Sequence, residues 1–153
     1  MQDVAAILKT LLDSIGAPYK DITQIEVAGQ QIFMINAEDG RNLIGPHGDA
    51  IHAIDHIVKK IVEKSMGAAA EEDEMHFLID VNDYRTRQIR DLQTKALMMA
   101  ERARSFQYDV ELSPMSAYER LIVHTTLQDA PNVKTESQGE GRSRRVVIKY
   151  AAS

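Results

Sequence analysis

Three groups of residues in this chain have types and spacings that could do chemistry. In Gly45-Pro46-His47-Gly48, two glycines flank a proline and a histidine at the mouth of an apolar-periodic segment. Such a turn lets another chain come close to the backbone, because no side chain blocks the approach and unusual φ values cost little. At a helix start it also aims amides and the positive end of the helix dipole at an anion, which suits a phosphate backbone. A tight helix-to-helix turn needs the same glycines, so the loop alone does not decide. Arg120 and His124 are four residues apart and therefore neighbours on a helix. A guanidinium and an imidazole emerging together can clamp one phosphate. The plainer alternative pairs Arg120 with Glu119 or a strand carboxylate and leaves His124 as a satisfied helix histidine. His52 and His56, one turn apart beside Asp49 and Asp55, have the spacing of a divalent-metal pair. No glutamate stands in the metalloprotease position, and neither a nucleophile elbow nor a Walker-type loop occurs. Catalysis is not expected, and no cofactor or metal is called for.

The elements that must position these groups follow from periodicity. Val4, Ile7, Leu8, Leu11, Leu12 and Ile15 form the stripe of an amphipathic helix that Gly16-Ala17-Pro18 stops. Ile22–Val27 and Gln31–Ile35 read as two strands joined at Ala28-Gly29-Gln30. A short helix at Arg41–Ile44 leads into the glycine loop, and Ile51, Ile54, Ile57, Val58, Ile61 and Val62 form the buried face of a longer helix ended by Gly67. The acidic run 68–74 is expected to be a loop, with a strand from Met75 to Val81 after it. Asn82 or Asp83 is the expected N-cap of a long helix carrying Ile89, Leu92, Ala96, Met99, Ala100 and Ala103 on one face. Val110 and Leu112 suggest a brief strand, and Ser116-Ala117-Tyr118-Glu119 is a capping box. Thr135 and Arg144–Tyr150 fall in or beside two last strands, separated by the turn Gln138-Gly139-Glu140-Gly141.

An apolar fraction of 44% in 153 residues is enough for a packed core. Cysteine is absent, which excludes disulfides and thiolate chemistry and fits a reducing compartment. Asp3, Lys9 and Asp13 interrupt any signal-peptide core, and no run approaches the roughly 20 apolar residues of a membrane span. A cytoplasmic protein without membrane insertion is expected. The net charge of −5 argues against a polyanionic partner until it is divided. Residues 1–81 hold 6 Lys+Arg against 14 Asp+Glu (−8), whereas residues 82–153 hold 12 against 9 (+3). Arg85, Arg87, Arg90, Arg142, Arg144, Arg145 and Lys149 supply much of that positive half, as a solvated face or as a phosphate track. Tyr84, Tyr108, Tyr118 and Tyr150 could stack bases, but with 5% aromatic residues most are expected to be structural.

The order helix, strand, strand, short helix, Gly-x-x-Gly, helix, strand resembles a type II KH domain, with Leu43-Ile44-Gly45-Pro46-His47-Gly48 as its signature loop. The resemblance implies a single strand whose backbone crosses Gly45–Gly48 while bases lie in the adjoining groove. KH loops that grip RNA commonly carry a basic residue between the glycines. Here proline has no amide to donate and histidine changes charge near neutral pH, so weak or pH-dependent binding is expected of this half. Arg120-x-x-x-His124 on a capped helix, Leu127–Val133, Ser137-x-Gly139 and Arg144–Ile148 resemble an R(3)H module, which implies a nucleic-acid-binding role for Arg120 and His124. With Val81-Asn82-Asp83-Tyr84-Arg85 and Glu111-Leu112-Ser113-Pro114-Met115, the whole resembles the bacterial Jag (KhpB, SpoIIIJ-associated) family. That resemblance implies an RNA-binding regulator connected with cell elongation and division. Many family members carry a further N-terminal domain, whose functions are not transferred to this chain.

The expectation is therefore an α+β protein, a type II KH module (1–81, loop 45–48) packed against an R(3)H module (82–153). It should bind single-stranded RNA, or single-stranded DNA, without catalysis. The expected contacts are Gly45, Pro46, His47, Gly48, Arg85, Arg120, His124, Arg144 and Arg145. A small KH-domain protein or a second copy is the expected protein partner. The alternative is an adaptor whose first half serves docking or dimerisation and whose second half alone meets RNA.

Overall fold

The computed structural model describes residues 3–66 and 77–152. Gly67, the acidic run 68–74 and the first residues of the expected strand, Met75 and His76, lie outside the described residues. Helices and strands alternate through an α+β chain that divides into two compact units, Met1–Thr86 and Arg87–Ser153.

The first unit starts with α1 (Val4–Ser14), where Asp3 caps the helix by accepting from the Ala6 amide at 3.3 Å and Val4, Leu8 and Leu12 are buried at four-residue steps. β1 (Asp21–Val27) and β2 (Gln30–Asn36) make an antiparallel hairpin in which Val27 pairs directly with Gln30. The turn is thus two residues rather than the expected three. Ala28 and Gly29, with φ of 53° and 76°, supply the left-handed pair that matches the twist of a hairpin. α2 (Arg41–Ile44), a 3-10 turn (Pro46–Gly48) and α3 (Asp49–Met66) then form the long connection that a parallel pairing requires. β3 (Phe77–Val81) lies parallel to β2, from Gln31↔Phe77 to Ile35↔Val81. Leu8, Leu12, Phe33, Ile35, Ile51, Val58 and Ile79 form the centre of one core, with the Phe33 and Phe77 rings edge to face at 5.7 Å.

The expected N-cap of the next helix is corrected. Asn82 and Asp83 take left-handed φ values of 49° and 66°, and the capping oxygens come from the end of β3. Asp80 Oδ1 accepts from the Arg85 amide at 2.8 Å, and Oδ2 accepts from the Thr86 amide and hydroxyl, each at 2.9 Å. α4 (Tyr84–Phe106) therefore begins inside the first unit. These bonds explain why the compact unit runs to Thr86 rather than ending at residue 81.

In the second unit, α4 continues, β4 (Val110–Glu111) follows, and α5 (Ala117–Leu127) precedes β5 (Val133–Gln138) and β6 (Arg145–Tyr150). The sheet order is β4-β6-β5, antiparallel throughout. Ala96, Ala100 and Ala103 are fully buried, so this stretch of α4 offers small side chains to a core built from Val123, Leu127, Val146 and Ile148. Both bonds of the expected capping box are present: Ser116 Oγ accepts from the Glu119 amide at 3.4 Å, and Glu119 Oε2 from the Ser116 amide at 3.2 Å.

Candidate functional site

In the glycine loop, Gly45, His47 and Gly48 all have left-handed φ (74°, 56° and 80°). A Cβ on Gly45 would lie 2.8 Å from the Ala50 amide nitrogen, and one on Gly48 would lie 2.9 Å from Tyr84 Cε1. The glycines are thus required by close approach within the unit itself. The loop's amides are largely spent: Gly48 donates to the Gly45 carbonyl at 3.2 Å, Asp49 donates to the Pro46 carbonyl, and Pro46 has none. Pro46 and His47 are exposed. The junction segment braces the loop from behind. Asn82 pairs both ways with Ala37, donating to its carbonyl at 2.9 Å and accepting from its amide at 3.0 Å, while Tyr84 packs at the margin of the core. Beside the loop, Arg41 holds Asp39 at 2.8 Å, and hydrogen bonds from the Arg41 side chain and amide lower the Asp39 carboxyl to about 2.

α5 positions the second group. From its capped start, Arg120 donates to the Met115 carbonyl at 2.9 Å, so neither Glu119 nor a strand carboxylate takes it. One turn on, His124 points at β5, with Nδ1 2.6 Å from Thr135 Oγ1 and Nε2 3.0 Å from Ser137 Oγ. Thr135 and Ser137 are alternate residues and share a face of the strand. Burial, then the nearby Arg120 charge, lowers the His124 pKa from its ordinary value. The imidazole is therefore neutral at neutral pH, and each hydroxyl can serve either tautomer. The arrangement is a cation, a neutral ring and two hydroxyls within one turn of helix and one step of strand. It can offer charge-assisted and hydroxyl donors to an anion. Ser137 appeared in the sequence only as part of a motif, and Thr135 only as a strand residue; the alternation of β5 opposite an i+4 histidine is the signal that could have singled them out.

The R(3)H domain family model matches residues 90–150, covering α5 and its sheet. Several relatives bear the name RNA-binding protein KhpB. That of Clostridium symbiosum is 32% identical over 114 residues, 74% of this chain and 49% of the relative. That of Bacillus subtilis is 27% identical over 152 residues, covering 98% and 70%, and that of Lactiplantibacillus plantarum is 31% identical over 106 residues, covering 69% and 31%. The chain belongs to the Jag/KhpB family. It spans about half the length of the Clostridium symbiosum relative.

Within the R(3)H domain the expected arginines separate sharply. Arg144 is half-buried and donates to the Gly139 carbonyl at 2.7 Å. Arg145 is held by Glu111 at 2.5 Å on the sheet face opposite His124 and also donates to the Ser143 carbonyl. Arg142, from the same turn, is exposed and lines a groove of about 440 Å³ with Arg120. In the first unit, Arg85 is withdrawn from the candidate contacts. Its side chain is 6% exposed and donates to Asp55 Oδ2 at 2.9 Å and to the Ile79 carbonyl at 3.3 Å. Lys59 sits 2.8 Å from the other Asp55 oxygen. A guanidinium so placed ties α3 to β3 and the start of α4 and offers nothing to a phosphate. His52 and His56 are exposed on α3, and among the described residues no cluster of three metal-ligating side chains forms.

Proposed function

We propose that this protein is a non-catalytic RNA-binding protein that grips the backbone of a single strand through its R(3)H domain. The observation that carries the reading is the convergence of Arg120 and His124 with the hydroxyls of Thr135 and Ser137. The names of the relatives support the same partner. The first unit is a type II KH module in this reading. Its support is the order α1-β1-β2-α2-turn-α3-β3 and a Gly45–Gly48 turn with left-handed φ at both glycines. Gly45, Pro46, His47 and Gly48 form its backbone-contact element, weakened because Gly48 and Asp49 spend their amides internally. Post-transcriptional regulation in the cytoplasm, connected with cell elongation and division, is the corresponding biological role. Among the described residues no helix is long and apolar enough to cross a membrane.

A second reading has its own observation. Ile57 and Ile61, expected on the buried face of α3, and Ile15, expected on the α1 stripe, are instead exposed on the first unit, and Ile61 lines an apolar groove of about 390 Å³ between α1 and α3. This favours an adaptor in which the first unit docks a small KH-domain protein or a second copy, leaving RNA to the R(3)H domain.

Fluorescence anisotropy with short labelled single strands, RNA and DNA, across a salt series tests the RNA-binding reading. The intact chain should bind with steep salt dependence, and the folded Arg120→Ala/His124→Ala variant should lose most of that binding. Absence of binding at low salt by the intact chain would overturn the RNA reading.

A further inference from the structure

The turn between β5 and β6 sorts its arginines by what already holds them. Gly139 and Gly141 have φ of 91° and 55°, and a Cβ on Gly139 would lie 2.9 Å from the Ser143 carbonyl oxygen, so the chain reverses tightly here. The reversal is built internally: Ser143 donates to the Glu140 carbonyl through its amide at 3.1 Å and its hydroxyl at 2.7 Å, and the Arg144 amide donates to Gly141 at 3.2 Å. Arg144 and Arg145 close on carbonyls of the same turn. Arg142 has neither a hydrogen-bond nor an ion-pair partner among the described residues. It stands on a preformed turn and lines one groove with Arg120, Ser116 and Gly141, and no carboxylate lines that groove. The nearby Glu119 carboxylate is committed to the Ser116 amide and faces a neighbouring groove. Two guanidinium-bearing side chains sharing a carboxylate-free groove repel each other unless an anion lies between them.

We infer that Arg142 is the second cation of a phosphate site in the R(3)H domain, holding with Arg120 one phosphodiester of a single strand laid in their common groove. The inference rests on the RNA-binding reading and names the group of the strand that is held. Arg120 keeps donors beyond the one used on Met115, and Arg142 brings five more on a planar fork suited to phosphate oxygens. The contact is to a phosphate, so it does not distinguish ribose from deoxyribose.

The test is anisotropy with labelled single-stranded RNA and DNA of two unrelated sequences over a potassium chloride series. The proteins are the full chain, Arg142→Ala, Arg142→Lys, Arg144→Ala and Arg145→Ala. Arg142→Ala should weaken binding about five- to tenfold on every strand and reduce the log–log salt slope by about 0.7, the loss of one single-strand phosphate contact. Arg142→Lys should keep the slope, and the variants at Arg144 and Arg145 should match the parent slope. Arg142 is exposed, so its variants should melt like the parent. If the parent binds while Arg142→Ala keeps its full slope, the inference is overturned and the RNA reading stands. If the parent binds no strand at low salt, both fall.

Discussion

Replacing Arg85 with methionine tests whether this cation holds the fold or meets a phosphate. Methionine keeps the aliphatic stem in place and removes only the guanidinium. The Arg85 and Asp55 side chains are 6% and 10% exposed, so both charges have left water. Losing one partner of such a pair costs about 3–5 kcal/mol, because the other remains buried and uncompensated. Here the loss should be smaller. Asp55 keeps Lys59 at 2.8 Å and the Ile79 amide at 3.0 Å, while the forfeited bond to the Ile79 carbonyl is long at 3.3 Å. An expected cost of about 2–3 kcal/mol follows. For a unit of the size of Met1–Thr86, that is a fall of roughly 10–20 °C in its melting temperature. Calorimetry of Arg85→Met, Asp55→Asn and the double variant gives the coupling, expected at about 1–2 kcal/mol. A variant that melts within about 2 °C of the parent yet loses salt slope in RNA binding would refute the structural role and restore Arg85 as a contact.

Gly48→Ala should destabilise the first unit by about 2–3 kcal/mol, combining left-handed strain with a Cβ pressed to 2.9 Å from Tyr84 Cε1. In a Tyr84→Ala background only the strain of about 1 kcal/mol should remain, and thermal unfolding of the four proteins reads the difference. His124 links stability to pH. Its folded pKa lies below the ordinary value, through burial first and Arg120 second, so the unfolded chain takes up the proton more readily. The stabilisation is therefore complete above the unfolded pKa of about 6.5 and declines as pH falls through that value towards the folded pKa. Urea midpoints measured at mildly alkaline and mildly acidic pH should fall more for the parent than for His124→Gln; equal falls would remove His124 as the cause.

Much of the fold is legible because it follows local rules. The four-residue stripe of α1, the bounds of α2 and the Ser116–Glu119 box all appear in the structure as periodicity and capping chemistry require. The capping group of α4 was not legible for a specific reason. A cap is ordinarily sought in the residue just before the helix, whereas Asp80 reaches over two left-handed residues from inside a buried strand. That geometry exists only once β3 has paired with β2. The candidate site divides along the same line. Arg120 and His124 are recognisable from spacing on one helix, but Thr135 and Ser137 come from β5. Their meeting depends on how α5 lies over the sheet.

The arginines show why charge counting is a poor guide to an anion site. Arg85 and Arg142 are the same residue type in the same positive half of the sequence, and a count of charges does not separate them. What separates them is whether a partner already holds the charge. Nucleic-acid affinity comes from cations that exchange small counterions for phosphates; a guanidinium paired inside the protein has few counterions to release. In the R(3)H domain, Arg104 is held by Glu101, Arg145 by Glu111 and Lys149 by Glu136, and Arg144 is turned onto a carbonyl. With Arg85 these make five cations already held, so the half that carries +3 presents fewer available cations than its 12 Lys+Arg suggest. A salt slope that reports fewer phosphates than that count is the consequence, and the groove shared by Arg120 and Arg142 brings two of the available cations together.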